Sequence, residues 1–455
     1  MRHTQSPEFI QAKQNLLEVI QKHTQDLNGV RPPTSPELHS TYVASIKQFA
    51  KNKGRDQFFN YLASGIGNGP YVQLLDGSVK IDLITGIGIN FFGHSYPPFM
   101  DEMADGLSSD VMQGNLQPGF ESLEVVEEIL KHVGTQSRLK HGWLFGSGTM
   151  SNETALKIIR QKKFPATRIF AFSDCFAGRS TAMQEITDNP GYRQGQPTYG
   201  EVTYLPFFDP EKSLDQNVNN VIEKIKAETD AHPETYAGLM IELIQGEGGI
   251  RYAPRDFYVR IFEAAKKANL AIWADEIQTF GRTTELFAYQ TFGLEQYMDV
   301  VTVGKLLHAC MTLYTDEFNP KPGLVAGTFT GSVSSLRCAR KTLEILTEGG
   351  YYGKDGKIAK LSHAFVKNLE TMKSGSCAGK IGEIRAIGGM IGFAVLSSSL
   401  ADTKLVLMKL FDAGVVAFYA GHDPYIIRIL PPFGVMTEKQ IDEACAIIET
   451  VLKGF

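Results

Sequence analysis

Short apolar runs separated by segments of helical spacing dominate the chain from about residue 140 to residue 305. "HGWLFGSG" (141 to 148) precedes the helix-like "SNETALKIIRQ", and "RIFAFSD" (168 to 174) follows it. "AGLMIELI" (237 to 244), "LAIWADEIQ" (270 to 278) and "DVVTVG" (299 to 304) complete the set, with "RDFYVRIFEAAKKAN" and "LFAYQTFGLEQY" between them as crossovers. This texture predicts a mostly parallel sheet with helices on its faces. Upstream, Ser6-Pro7-Glu8 has the cap, first-turn proline and acid of a helix start, with Phe9, Leu16, Leu17 and Ile20 at helical spacing. "YVQLLDGSVKIDLITG" (71 to 86) alternates around an Asp-Gly turn, as a hairpin does.

Parallel sheets place ligands at the carboxyl ends of their strands, so the residues at those ends carry the chemistry. They are Ser147-Gly148-Thr149, Phe176, Glu242, Asp275 with Gln278, and Lys305. A lysine that follows a buried strand is most often a solvated stub, and taken alone Lys305 would be read as one. Its companions change that reading. The Ser-Gly-Thr turn opens a helix and offers backbone N–H groups to an anion such as phosphate, although such turns more often only cap a helix. Asp275 closes an apolar run and needs a cationic or donor partner to remain ionised. A desolvated Lys305 loses its proton readily enough to form an imine with a carbonyl. A phosphate, a ring cation and an imine together describe pyridoxal 5'-phosphate.

Composition narrows the setting. The 455 residues carry 45 basic and 50 acidic side chains, a net charge of −5 that points to neither nucleic acid nor an anionic membrane as a partner. Five widely spaced cysteines without a CxxC pair argue against a disulfide framework or a zinc site, so no metal is expected and a reducing cytoplasm fits best. The N-terminal stretch has no apolar signal core, and no run is long enough to span a membrane.

Eight segments, in order, resemble the class III (ornithine/acetylornithine/4-aminobutyrate type) aminotransferases. They are "LLDGSVKIDLITGIGINFFGHSYPP", "GSGTMSNETALKIIR", "CFAGRS", "IELIQGEGGI", "ADEIQTFGRTTELFA", "DVVTVGK", "AGTFTGS" and "IIRILPP". The resemblance implies an α/β fold: a fold type I pyridoxal phosphate-dependent transferase, with a mostly parallel seven-stranded sheet in a large domain and a smaller C-terminal α/β domain. Limits of 1–75 for an N-terminal helical segment packing on the small domain, 76–340 for the large domain and 341–455 for the small one are expected.

The resemblance also implies roles. Lys305 is the lysine that forms the imine with the cofactor, and Asp275 pairs with the ring nitrogen. Gly148 and Thr149 hold the phosphate, Phe176 stacks on the ring, and Gln278 approaches its hydroxyl. Thr328 reaches the phosphate of a neighbouring subunit in a homodimer with shared active sites. Thr330 rivals it, because Thr330-Gly331-Ser332-Val333 replaces the family's Gly-Gly-Asn-Pro. Arg179 clamps a substrate carboxylate. Glu247 pairs with Arg428 and gates it, so one pocket serves an amine-bearing donor and a dicarboxylate acceptor such as 2-oxoglutarate. Surface or structural ion pairs are the plainer readings of these three charges.

Ile87 stands where ornithine aminotransferases carry a tyrosine that binds the α-amino group. Free ornithine therefore fits less well than 4-aminobutyrate, N-acetylornithine or a lysine-like ω-amine. "LLHACMTL" after Lys305 departs from the family's glycine-rich segment, and "DEIQTFGR" is one glycine short. A same-fold aminomutase or decarboxylase is the alternative enzyme, and a non-catalytic binding protein the alternative outside enzymes. The three charges favour a transaminase over the first, and Lys305 with Asp275 argues against the second.

Overall fold

The computed structural model describes residues 3–455. Contacts divide the chain into two compact units, one from the N-terminus to Ser108 together with Lys357–Phe455, the other Ser109–Gly356. This division differs from the expected limits at 75/76 and 340/341. Val79–Asp82 pairs in parallel with Val415–Val416, which ties residues just beyond 76 to the C-terminal part. The helix Val333–Glu348 runs through position 340 without a break.

The second unit is built on a seven-stranded sheet. Its strands are β1 (Leu139–Phe145), β2 (Arg168–Phe172), β3 (Val202–Leu205), β4 (Tyr236–Ile241), β5 (Ala271–Glu276), β6 (Val300–Val303) and β7 (Cys310–Thr315), in the spatial order β1-β7-β6-β5-β4-β2-β3. The ladders linking β6, β5, β4, β2 and β3 are parallel, and β7 alone runs antiparallel to its neighbours β6 and β1. Strands β4, β5 and β6 are buried along their whole length, which explains why they read as continuous apolar runs and not as alternating ones. All five predicted runs became strands. β3 and β7 were not among them.

Helix Gly148–Lys162 lies against this sheet and buries Asn152, Ala155, Leu156 and Ile159, the i, i+3, i+4, i+7 stripe of an amphipathic helix. Ser147 caps it, accepting the Met150 N–H at 3.3 Å. The crossover Arg255–Lys267 is a full helix, as its pattern predicts. "LFAYQTFGLEQY" yields only Ala288–Thr291 and the single turn Glu295–Tyr297, because Gly293 takes a left-handed φ of 62° that ends the first turn.

In the first unit, helix Pro7–Thr24 starts at Ser6, whose hydroxyl accepts the Phe9 N–H at 3.2 Å. The predicted hairpin pairs Tyr71 with Ile81 and Val72 with Lys80. Gly77 turns it at φ 80°, and Asp76 holds the turn by accepting from the Ser78 N–H at 3.0 Å. A separate antiparallel sheet orders Ile381–Ile387, Met390–Val395, Ile426–Ile429 and Phe418–Ala420. Among the described residues no helix is long and apolar enough to cross a membrane.

Ile159 is fully buried between its helix and the sheet. Ile159→Ala should lower the unfolding free energy by about 2–5 kcal/mol, measured by denaturant titration. A change below about 0.5 kcal/mol would mean that the helix does not pack as described.

Candidate active site

Because β2, β4, β5 and β6 are parallel, their carboxyl ends share one edge of the sheet, and the site is built there. Asp275 sits in the last turn of β5, opposite Thr302 of β6, and is 5% exposed. Its two oxygens are spoken for: Oδ1 accepts the Ile277 N–H at 2.9 Å and Oδ2 accepts the Asn152 amide at 2.6 Å. The same Asn152 amide donates to the Ala177 carbonyl at 2.7 Å, which joins helix Gly148–Lys162 to the loop after β2. Burial pushes Asp275 up to about 6, against the pull of these two donors and of the positive charge of Lys305.

Glu242, at the end of β4, is also buried and lies within electrostatic reach of both Asp275 and Lys305. Desolvation first, and the neighbouring Asp275 second, push it up to about 8. It accepts the Phe176 N–H at 2.8 Å and the Gly246 N–H at 3.1 Å, so it fixes the two loops that follow β2 and β4. A Cβ at Gly246 would meet the end of the Gln278 side chain, which packs against this turn. Glycine at 178, with φ 136°, is likewise set against the Thr149 side chain.

Lys305 follows Gly304 at the end of β6 and opens a single turn, Lys305–Leu307. Its own φ is 45°, in the left-handed region that a residue with a Cβ rarely adopts. Such strain persists only where surrounding structure imposes it, and it concentrates at functional positions. The peptide at Lys305 also hydrogen-bonds the Cys310 thiol, whose pKa burial pushes up to about 11.

Phe176, Arg179 and Glu247 form a connected group through a residue the sequence did not single out. The Arg179 guanidinium carbon lies 3.5 Å from the centre of the Tyr192 ring and 5.9 Å from that of Phe176. The Tyr192 hydroxyl donates to Glu247 Oε1 at 2.5 Å, and the Tyr192 and Phe176 rings meet edge to face at 6.0 Å. Among the described residues no carboxylate pairs with Arg179, which is exposed.

Thr328 and Thr330 are told apart by their surroundings. Thr330 is buried, and both its N–H and its hydroxyl donate to the Gln113 carbonyl at 2.9 Å. Thr328 is exposed, beside an exposed Phe329.

Arg428 and Ile87 belong to the first unit. Arg428 is fully buried on the strand Ile426–Ile429, between Gly392 and Phe418 of the adjacent strands. Ile87 is exposed and held at φ 60°, next to Thr85 at φ 52° and Gly86 at φ 66°. Asp82 stabilises this bend by accepting from the Ile84 and Thr85 N–H groups at 3.0 and 2.7 Å, and it meets the His94 ring at 3.0 Å. Neither Asn152 nor Tyr192 was anticipated. Asn152 had a signal, a polar residue on the apolar stripe of its helix; Tyr192 had none.

The second unit thus gathers on one edge a capped helix N-terminus, a lysine, a buried carboxylate that needs a cation, and a partly exposed aromatic ring. This donor set fits pyridoxal phosphate: Gly148 and Thr149 face the needs of the phosphate, Asp275 those of a protonated ring nitrogen, and Phe176 those of the ring face. Comparison with known proteins agrees. The class III aminotransferase family model matches residues 52–452, and the chain belongs to that family of pyridoxal phosphate-dependent transaminases. It is an aminotransferase that moves an amino group between an amine donor and a keto acid.

Its relatives include the acetylornithine aminotransferase of Aquifex aeolicus, 27% identical over 406 residues that cover 85% of this chain and 96% of that one. The acetylornithine aminotransferase of Mycolicibacterium smegmatis is 27% identical over 395 residues, 85% of this chain and 92% of the other. In fold, the chain is similar to a Bacillus anthracis aminotransferase (TM-score 0.81, 18% identity, 93% of this chain and 100% of that one). It is also similar to a lysine aminotransferase from M. tuberculosis (TM-score 0.80, 19% identity, 89% and 98%).

The raised carboxyl groups carry a sign for stability. A carboxyl whose folded pKa exceeds its unfolded value favours the native state at low pH, and that contribution is lost as pH rises through the folded value. In the cofactor-free protein, stability should therefore fall between about pH 4 and pH 6 through Asp275 and onward to about pH 8 through Glu242. Asp275→Asn should remove on the order of 1–3 kcal/mol of this decline. Denaturant melts of the cofactor-free wild type and variant across that range check it, and parallel curves would contradict the assignment.

Proposed function

We propose that the donor is a terminal ω-amine that also bears a carboxylate, with 2-oxoglutarate as the acceptor. The observation that carries this reading is Arg179: a guanidinium laid on an aromatic ring, without a carboxylate of the described chain to neutralise it, and joined through Phe176 to Glu242 and the site of Lys305. An arginine so placed presents a planar fork to a carboxylate. The names of the relatives, acetylornithine and lysine aminotransferases, support the same class of donor.

Bound pyridoxal phosphate supplies an electron sink that eases removal of the proton beside the amine nitrogen. In this reading Asp275 keeps the ring nitrogen protonated, with Asn152 and the Ile277 N–H keeping Asp275 oriented. Lys305 anchors the group and, once released, moves a proton at Nζ. Gly148 and Thr149 hold the phosphate, Phe176 packs on the ring, and Gln278 approaches its hydroxyl. Arg428, fully buried on its strand, is the candidate for the acceptor's second carboxylate.

The assembly we propose is a homodimer in which Thr328 reaches the partner's phosphate. Segments 111–123 and 327–332 support it. They are stitched together by the pairing of Gly331 with Gln113 and by the Asn115 N–H to the Gly327 carbonyl at 3.0 Å. They expose Val111 (81%), Leu116 (94%) and Phe329 (65%) around a cavity of about 510 Å³ lined by Phe120, Leu123, Trp143 and Thr330. An apolar face of that kind calls for a partner. A reducing cytoplasmic setting is supported by five free cysteines, four of them buried.

Lys305→Ala should lose the visible absorbance of the bound cofactor and lower transamination by about 10³-fold or more, as followed by absorbance and by product formation. Retained turnover, or borohydride trapping of the cofactor on another lysine, would remove Lys305 from this role. Phe329→Glu should shift the protein from dimer to monomer in analytical ultracentrifugation, with cofactor lost in parallel. A wild-type monomer with full cofactor occupancy would refute the shared site.

A further inference from the structure

We propose that Tyr192 is a positioning residue that sets the preference for carboxylate-bearing amines, by serving as the shelf on which Arg179 rests; this builds on the reading of Arg179 as the carboxylate clamp. Tyr192 touches three groups at once. Its ring face meets the Arg179 guanidinium at 3.5 Å, its ring edge meets Phe176 at 6.0 Å, and its hydroxyl donates to Glu247 at 2.5 Å.

The shelf is itself held in place. Tyr192 lies in the short turn Pro190–Arg193, capped by Asn189, whose side chain accepts the Gly191 N–H at 3.0 Å. The neighbouring Arg193 is bound to the Thr187 carbonyl at 3.0 Å and the Tyr204 hydroxyl at 3.1 Å, so it braces the turn against the rest of the fold. Arg179, by contrast, is exposed and has no ionic partner among the described residues. An unsupported exposed arginine samples many rotamers, and binding a carboxylate would have to freeze them. Resting on an aromatic face removes most of that freedom while leaving the in-plane N–H donors available for a bidentate contact. The hydroxyl contact ties the shelf to Glu247.

This arrangement acts on binding of the carboxylate and not on the reacting atoms. Tyr192→Ala should therefore raise KM for carboxylate-bearing donors about three- to thirty-fold, the range of a cation–π contact, with kcat changed less than about two-fold. Tyr192→Phe keeps the ring and should restore KM to within about two-fold of wild type. An equal-length monoamine without the carboxylate should show no change in either variant.

The experiment uses the holoenzyme and single half-reactions with ω-amino acids of three to six carbons and their matching monoamines, taking the pair that the wild type turns over fastest. A selective rise in KM in Tyr192→Ala, rescued in Tyr192→Phe, supports the shelf. Equal loss on donor and monoamine would mean a structural role and overturn it. So would an unchanged KM in Tyr192→Ala while Arg179→Ala loses the carboxylate preference. If Arg179→Ala itself leaves that preference intact, the clamp reading fails instead.

Discussion

The site depends on keeping one carboxylate, Asp275, in place and able to carry charge where water does not reach it. A buried carboxylate without donors would take up a proton. Here the Ile277 N–H, the Asn152 amide and the charge of Lys305 all favour the ionised form, and burial still leaves the group at about 6. A cation placed against it would complete what these donors begin. In the proposed reading, the protonated ring nitrogen of the cofactor is that cation.

The sheet makes that meeting possible. Asp275 and Lys305 end adjacent parallel strands, and Glu242 ends the strand on the other side of Asp275. Parallel neighbours deliver their chain ends to the same edge, so three ionisable groups converge without any loop having to travel far. Their mutual repulsion and attraction then set the electrostatics. Glu242, raised to about 8, serves as a neutral brace for the loops bearing Phe176 and Gly246 and adds little charge of its own at neutral pH.

Around this centre the residues proposed for recognition sit on loops. Arg179 and Tyr192 follow β2, and Glu247 follows β4. Loops tolerate change more readily than strands do. The left-handed conformations at Lys305 and Ile87 are costly for residues with a Cβ, so the surrounding structure must impose both.

The sequence by itself determined the local features. Buried strands β4, β5 and β6 showed as apolar runs, the Gly148–Lys162 helix as a capped periodic stripe, and the hairpin at Asp76-Gly77 as an alternation around a turn, because each depends on neighbours within a few residues. Lys305 and Asp275 were legible for the same reason: a charged residue closing an apolar run is visible in the run itself. The unit limits were not, because the pairing of Val79–Asp82 with Val415–Val416 joins segments more than three hundred residues apart. β7 was read only as a departure from a glycine-rich segment, since an antiparallel insertion between β1 and β6 has no periodicity of its own. The contacts of Asn152 with Asp275, Tyr192 with Glu247 and Thr330 with Gln113 were likewise decided by tertiary structure alone. Each is a hydrogen bond between residues 55 to 217 positions apart, and its partner is chosen by which distant segments the fold brings together, a choice that spacing along the chain does not encode.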